Sequence, residues 1–311
     1  MSEPPDFPDW PSRLEDLLAR LGDGDRERGS FLTANGDAIA RALTGVPVDG
    51  GPRRPGVGGC VVVNMSSAWA PDFTRAGARY KNCYDLDDDR RRVGEAPRTS
   101  AKRTAVDAAL APLHGAEARG VYFAAVEFNG CGIGFYGDLC LVLRDDITES
   151  EAVILDRNSY DLIREPLRSE IAEAAQRRQT TLDQAREDEA REHAGVLSED
   201  LPALAAIKVL ESRQPVLRLV STGAVSEGVL DDEDYIEVLR TRTFEIGDVL
   251  EVRLSPADVT LDERIRGRSL TGRPPSQAEN LWRQQRREAE ERLSAIGVPV
   301  RVVTTVGRTK G

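Results

Sequence analysis

The sequence predicts an α+β protein: a small split or mixed β-sheet core with flanking helices and an N-terminal helical appendage. Apolar, strand-forming runs occur in separated groups, at Cys60–Val63, Val121–Val126, Asp138–Leu143, Val216–Ser221 and Val249–Leu254. Capped segments of helical periodicity lie between them. There is no regular alternation of strand and helix, as a βαβ winding requires, and no internal repeat. At 311 residues, with 40% hydrophobic and 31% charged residues, the chain has the composition of a globular protein of one large or two ordinary domains.

In chain order, residues 1–58 read as the appendage. Ser12 and Glu15 make a capping box ahead of Leu14, Leu17, Leu18 and Leu21, and Gly22 stops that helix. A short helix around Asp37–Leu43 precedes a Pro/Gly stretch. Residues 59–311 read as the core domain, with a charged helical insertion around 164–213. Cys60–Val63 predicts a buried strand. The polar stretch to Thr99, with the charge block Asp87–Arg92, predicts a solvated loop, and Ser100–Leu113 a helix. Val121–Val126 and Asp138–Leu143 predict a twisted hairpin turning at Asn129-Gly130. Val153–Leu155 predicts a third strand, 166–195 and Leu201–Glu211 helices, and Tyr235–Arg240 and Val249–Leu254 strands near each other. Ser276 and Glu279 predict a second capping box opening a helix marked by Ala278, Trp282, Ala289, Leu293 and Ile296, and Val298–Val303 a closing strand. Trp69 and Trp282 read as packing anchors.

The net charge of −11 disfavours a non-specific nucleic-acid or anionic-membrane binder. Two histidines, His114 and His193, exclude a multi-histidine metal site. Four cysteines without a CxxC pair read as reduced, buried thiols. The acidic, proline-rich start is the reverse of a signal peptide, and no apolar run reaches the ~20 residues of a membrane span. The expectation is a cytoplasmic protein. The use of 38 arginines against four lysines looks like high-GC bacterial coding rather than chemistry.

Gly132-Ile133-Gly134-Phe135-Tyr136-Gly137 satisfies G-x-G-x-x-G, but a dinucleotide fingerprint must open a helix, and the residues that follow read as strand. A protein-kinase glycine loop would need a lysine on the next strand and an HRD and DFG downstream, all missing. Glycines shaping a strand connection are the better reading.

Two other segments carry a resemblance. Phe135-Tyr136-Gly137-Asp138-Leu139-Cys140-Leu141-Val142-Leu143-Arg144 resembles the aromatic–Gly–x–x–x–Leu–x–Leu strand of toxin-like bacterial mono-ADP-ribosyltransferases. Asp232-Glu233-Asp234-Tyr235-Ile236-Glu237 resembles the catalytic strand of that family, and Asp248-Val249-Leu250-Glu251-Val252-Arg253-Leu254 the segment after it. Leu239 stands where the family has Gln, and Arg242-Thr243-Phe244 where it has His-Gly-Pro, so an inactive relative stays open. The resemblance implies transfer of ADP-ribose from NAD, with no metal and with Glu237 as the single catalytic glutamate. It also implies NAD contacts from Arg119, Tyr136, Ser221, Thr222 and Tyr235. The residue types suit that chemistry, because one carboxylate beside the ribose can stabilise a developing positive charge. The acceptor, whether protein, nucleic acid or small molecule, is left open.

Plain alternatives stand beside these readings. Glu237 can point to solvent from an edge strand, and Tyr122, Phe123 and Tyr136 can be core aromatics. Glu127, Asp138 and Asp156 could gather around Mg²⁺ as in a nuclease, an option weakened by the scarcity of lysine. In a non-catalytic reading, the segment Arg264–Arg287, with seven arginines and one glutamate, binds protein, nucleotide or RNA.

Overall fold

The structure, a computed structural model, describes residues 60–144 except 116 and 129, 152–194 except 164, residues 204, 205, 208 and 228–230, and 235–303 except 273. The expected appendage, the strand at Val216–Ser221, most of the helix at Leu201–Glu211, and Ser221 and Thr222 lie outside the described residues.

The described chain is α+β, with seven helices around a seven-stranded mixed open sheet. The strands are β1 (Cys60–Met65), β2 (Tyr122–Glu127), β3 (Leu139–Leu143), β4 (Ala152–Leu155), β5 (Glu237–Arg240), β6 (Val249–Leu254) and β7 (Val300–Val302). Their order across the sheet is β4-β5-β2-β1-β3-β6-β7, antiparallel throughout except for the parallel pair β6–β7. The helices are α1 (Ala70–Phe73), α2 (Cys83–Arg92), α3 (Ala101–His114), α4 (Glu165–Arg178), α5 (Leu182–His193), α6 (Pro256–Leu270) and α7 (Gln277–Ala295).

Both faces of the sheet are covered, which is why β1 and β3 read as unbroken apolar runs rather than as alternation. One face carries Val61, Val63, Leu139, Leu141 and Val238 and packs against Phe73 of α1 and Ala289 and Leu293 of α7. The other face divides. Toward the β4 edge, Leu155 and Leu239 meet Val106 and Leu110 of α3, Ile171 of α4, and Ala185 and Ala190 of α5. Toward the middle, Cys60, Val62, Ala125, Cys140 and Val142 meet Ile133 and Tyr235.

Three expectations are corrected. β2 and β3 do not form a hairpin: β1 lies between them and pairs with both. An apolar strand earlier in the chain is the better partner for two such strands, since it lets all three be buried on both faces. Likewise β5 and β6 are not neighbours but flank the central trio on opposite sides. The charge block is not a loop. It lies in α2, opened by a reciprocal capping box between Asn82 and Asp85. Asp87 is buried and accepts the N–H groups of Arg98 and Thr99 at 2.6 and 3.0 Å; burial raises its carboxyl, but hydrogen bonding from Thr99 and Arg98 and the charge of Arg91 together hold it below the usual range. The expected helix caps at Ser100 and at Ser276 with Glu279 are present.

Candidate functional site

The divided face leaves a gap at mid-sheet, where α3 ends its cover and the glycine-rich connection from β2 to β3 begins. The connection is pinned by Asn64 of β1. Its Nδ2 donates to the carbonyls of Cys131 and Gly137 at 3.0 and 3.1 Å, and its Oδ1 accepts the Ile133 N–H at 2.8 Å. Gly132 adopts φ +69°, and a Cβ there would stand 2.1 Å from Asn64 Oδ1. The glycine pattern therefore serves a close strand-to-loop clamp. The same clamp sets a 3₁₀ turn, Gly134–Tyr136, over the gap.

Beneath that turn is a cavity of about 290 Å³. Glu237, at the start of β5 and opposite Ala125 of β2 and Leu155 of β4, forms part of its wall, with Arg103, Phe123, Tyr136 and Tyr235. Glu237 is 1% exposed and sits on an interior strand, so the solvent-facing edge placement does not hold. Ser159 donates its N–H to Glu237 Oε2 at 2.8 Å. Burial pushes the Glu237 carboxyl above the usual range; the positive charge of Arg103 and the hydrogen bonding from Ser159 oppose this without overcoming it.

Arg103 is itself held. Its Nε donates to Asp107 Oδ1 at 2.7 Å, Asp107 Oδ2 accepts the Tyr84 hydroxyl at 2.5 Å, and the guanidinium lies 3.8 Å from the centre of the Phe123 ring. On the opposite side the hydroxyls of Tyr136 and Tyr235 are 3.4 Å apart. Burial, and then the charge of Glu237, keeps the Tyr235 phenol well above its ordinary value, hence neutral.

A larger cleft of about 880 Å³ adjoins this cavity and shares Asn64, Tyr80, Lys81, Leu86 and Tyr136 with it. Its size falls in the range of small-molecule and cofactor sites. Trp69, expected to be a packing anchor, is instead 47% exposed on the cleft wall, whereas Trp282 is half-buried and donates Nε1–H to Asp138 Oδ2 at 3.0 Å.

Of the residues singled out from sequence, the fold thus gathers Glu237, Tyr136 and Tyr235 around one cavity. Arg119 stands elsewhere, half-exposed on Asp88 at 2.9 Å, outside the lining of either cavity. Arg103, Asn64 and Lys81 were missed. Arg103 and Asp107 share a helical stripe with Val106 and Leu110, and a charged pair within an apolar stripe was the available signal.

Among the described residues, no cluster of three or more His, Cys, Asp or Glu is disposed to hold a metal ion. Glu127 accepts the N–H groups of Phe128 and Gly132, and Asp138 holds Ser67 and Trp282. In the arginine-rich segment, Arg268 pairs with Glu279, Arg283 with Asp262 at 2.5 Å, and Arg286 is buried between Asp258 and Glu290. Arg264, Arg266 and Arg287 face solvent. No described helix is long and apolar enough to cross a membrane. No family model, curated protein or solved structure matches the chain.

Proposed function

We propose that the protein is a mono-ADP-ribosyltransferase that takes NAD as donor substrate, with Glu237 as its catalytic carboxylate. The observation that carries this reading is the placement of Glu237. It is a buried carboxylate on the wall of a ligand-sized cavity, held at one oxygen by a backbone N–H and flanked by two tyrosines. The resemblance at 135–144 and 232–254 supports it independently, because those two segments meet at this cavity through Tyr136, Tyr235 and Glu237.

NAD supplies an ADP-ribosyl group whose C1′–nitrogen bond breaks with the electron pair leaving on neutral nicotinamide. Glu237 accepts the hydrogen bond of the ribose 2′-hydroxyl and faces the positive charge that develops at C1′. A nucleophile on the acceptor, a protein or nucleic acid, then bonds to C1′ and gives up its proton. Arg103 favours the ionised form of Glu237, and entry of the cationic nicotinamide ring favours it further. Tyr136 and Tyr235 offer ring faces and neutral hydroxyls to nicotinamide. The raised carboxyl sets the sign of the pH dependence: transfer falls as pH drops through the Glu237 value, because the protonated acid no longer opposes the cation.

The test is release of nicotinamide from NAD by the purified protein. Glu237→Gln keeps the volume and the acceptor for Ser159 and is expected to lower release by about 10²–10³-fold. Unchanged release in a folded Glu237→Gln protein overturns the assignment.

A further inference from the structure

We infer that Trp69 and Lys81 bind the ADP half of the donor, with its adenine stacked on Trp69 in the larger cleft and its diphosphate at Lys81 on the wall shared by both cavities. This rests on the transferase reading above and adds to it a second binding region and the residues that make it.

Trp69 is the reason to look there. An indole 47% exposed gains little from burial, yet the backbone that carries it is pinned. It ends a 3₁₀ turn, Ser67–Trp69, in which Ser66 Oγ accepts the Ala68 N–H at 3.3 Å. Asp138 accepts the Ser67 N–H at 2.7 Å and is itself held by Trp282. The next residues form α1, whose Phe73 is buried in the core. A planar aromatic surface is thus carried on a fixed stretch of backbone at the wall of an 880 Å³ cleft. Such a platform suits a flat heterocycle, because the backbone beneath it needs no further ordering on binding.

Lys81 supplies the charge between the two ends. It lines both cavities and pairs with Asp89 at 2.5 Å, in a pair that is half in solvent and therefore of little net worth. Asp89 also accepts Arg92 Nη1 at 3.0 Å, so it keeps a cation when Lys81 turns to a diphosphate. With nicotinamide ribose at Glu237, the order of groups along the joined cavities becomes carboxylate, cation, aromatic ring, which is the order a dinucleotide needs.

The experiment titrates ADP and nicotinamide mononucleotide into the full-length protein, reading tryptophan fluorescence and binding heat, alongside nicotinamide release from NAD. ADP is expected to quench the wild-type protein. Trp69→Leu should weaken ADP binding about tenfold and remove the quench, while Trp69→Phe, which also guards against a folding defect, retains most of the affinity. Lys81→Gln should weaken ADP and the mononucleotide but leave adenosine unchanged, and the mononucleotide should bind both Trp69 variants as it binds wild type. Equal ADP affinity in wild type and Trp69→Leu overturns the inference, as does wild-type protein that releases nicotinamide but does not bind ADP; both leave the Glu237 assignment standing. Tryptophan-dependent ADP binding without nicotinamide release keeps the nucleotide cleft and removes the transfer reaction. Neither binding nor release removes both.

Discussion

Glu237 and Glu251 are carboxylates of the same sheet, buried to 1% and 2% exposure, and their environments drive them in opposite directions. Glu251, on β6, is clamped. Arg253 Nε donates to its Oε1 at 2.8 Å, and Arg301 of β7 donates Nε to Oε2 and Nη2 to Oε1 at 2.8 and 2.9 Å. Burial alone would raise its carboxyl, but the two guanidinium groups outweigh burial and hold it below the usual range. Glu237 has one backbone donor and one guanidinium shared with Asp107, and burial wins. Burial therefore does not mark a functional acid. A buried acid left short of partners beside a cavity is a candidate, because the missing partner is what a substrate can supply.

The sharpest way to break this comparison is to neutralise the clamped member. Glu251→Gln leaves the buried Arg253 and the half-buried Arg301 without their anion, and it should cost about 3 kcal/mol, read as a lower midpoint in denaturant titration. Its effect on nicotinamide release by the folded fraction should be small. A loss of release without a loss of stability would show that Glu251 is not merely structural. The second test acts on the partner of Glu237. Arg103→Gln removes the charge opposing burial, so the acid limb of the release–pH profile should move to higher pH. An unmoved profile would disconnect Arg103 from Glu237.

The third test concerns stability, and its sign follows from linkage. Glu237 titrates higher in the folded chain than the ~4.3 of a free glutamate. Its contribution to stability is thus present below that value and lost as pH rises through the folded one. Glu237→Gln removes the cost of ionising a buried acid, so near pH 7 the variant should be more stable by about 1 kcal/mol, or about 2–4 °C in melting temperature, while it loses activity. Glu251 runs the other way: its contribution is present above ~4.3 and lost as pH falls through its lowered folded value. A Glu237→Gln protein that melts earlier than wild type at neutral pH would show the carboxylate to be a structural partner of Arg103.

Local signals reported the elements well where caps and apolar runs coincide, as at Ser100, Ser276 and the runs of β1, β3 and β6. They reported pairing poorly, because which strands meet is decided by burial on both faces and not by proximity in the chain. Thus β1, remote from both, separates β2 from β3. Helix α2 was hidden because its residues are nearly all polar; the Asn82–Asp85 box was the one clue to it. The site was half legible. Tyr235 and Glu237 lie two residues apart, and Tyr136 lies in the other resembling segment. Arg103 comes from a helix distant in sequence from both, and only the fold brings it to Phe123 and Glu237. Trp69 was misread because a tryptophan is usually worth more buried than exposed.

The smallest effect expected in this set belongs to Tyr235. Its hydroxyl is 3.4 Å from that of Tyr136, too long for a strong hydrogen bond, and its ring packs with Ile133 and Cys140. If the ring does the work, Tyr235→Phe removes a weak contact and one buried polar atom, two changes of opposite sign. Stability should then stay within about 1 kcal/mol of wild type, and nicotinamide release should stay within about threefold. A fall of about 10²-fold with stability intact would instead give the hydroxyl a direct part in holding nicotinamide or the ribose. Tyr235 would then join Glu237 and Arg103 as a group on that wall that acts through its chemistry rather than through packing.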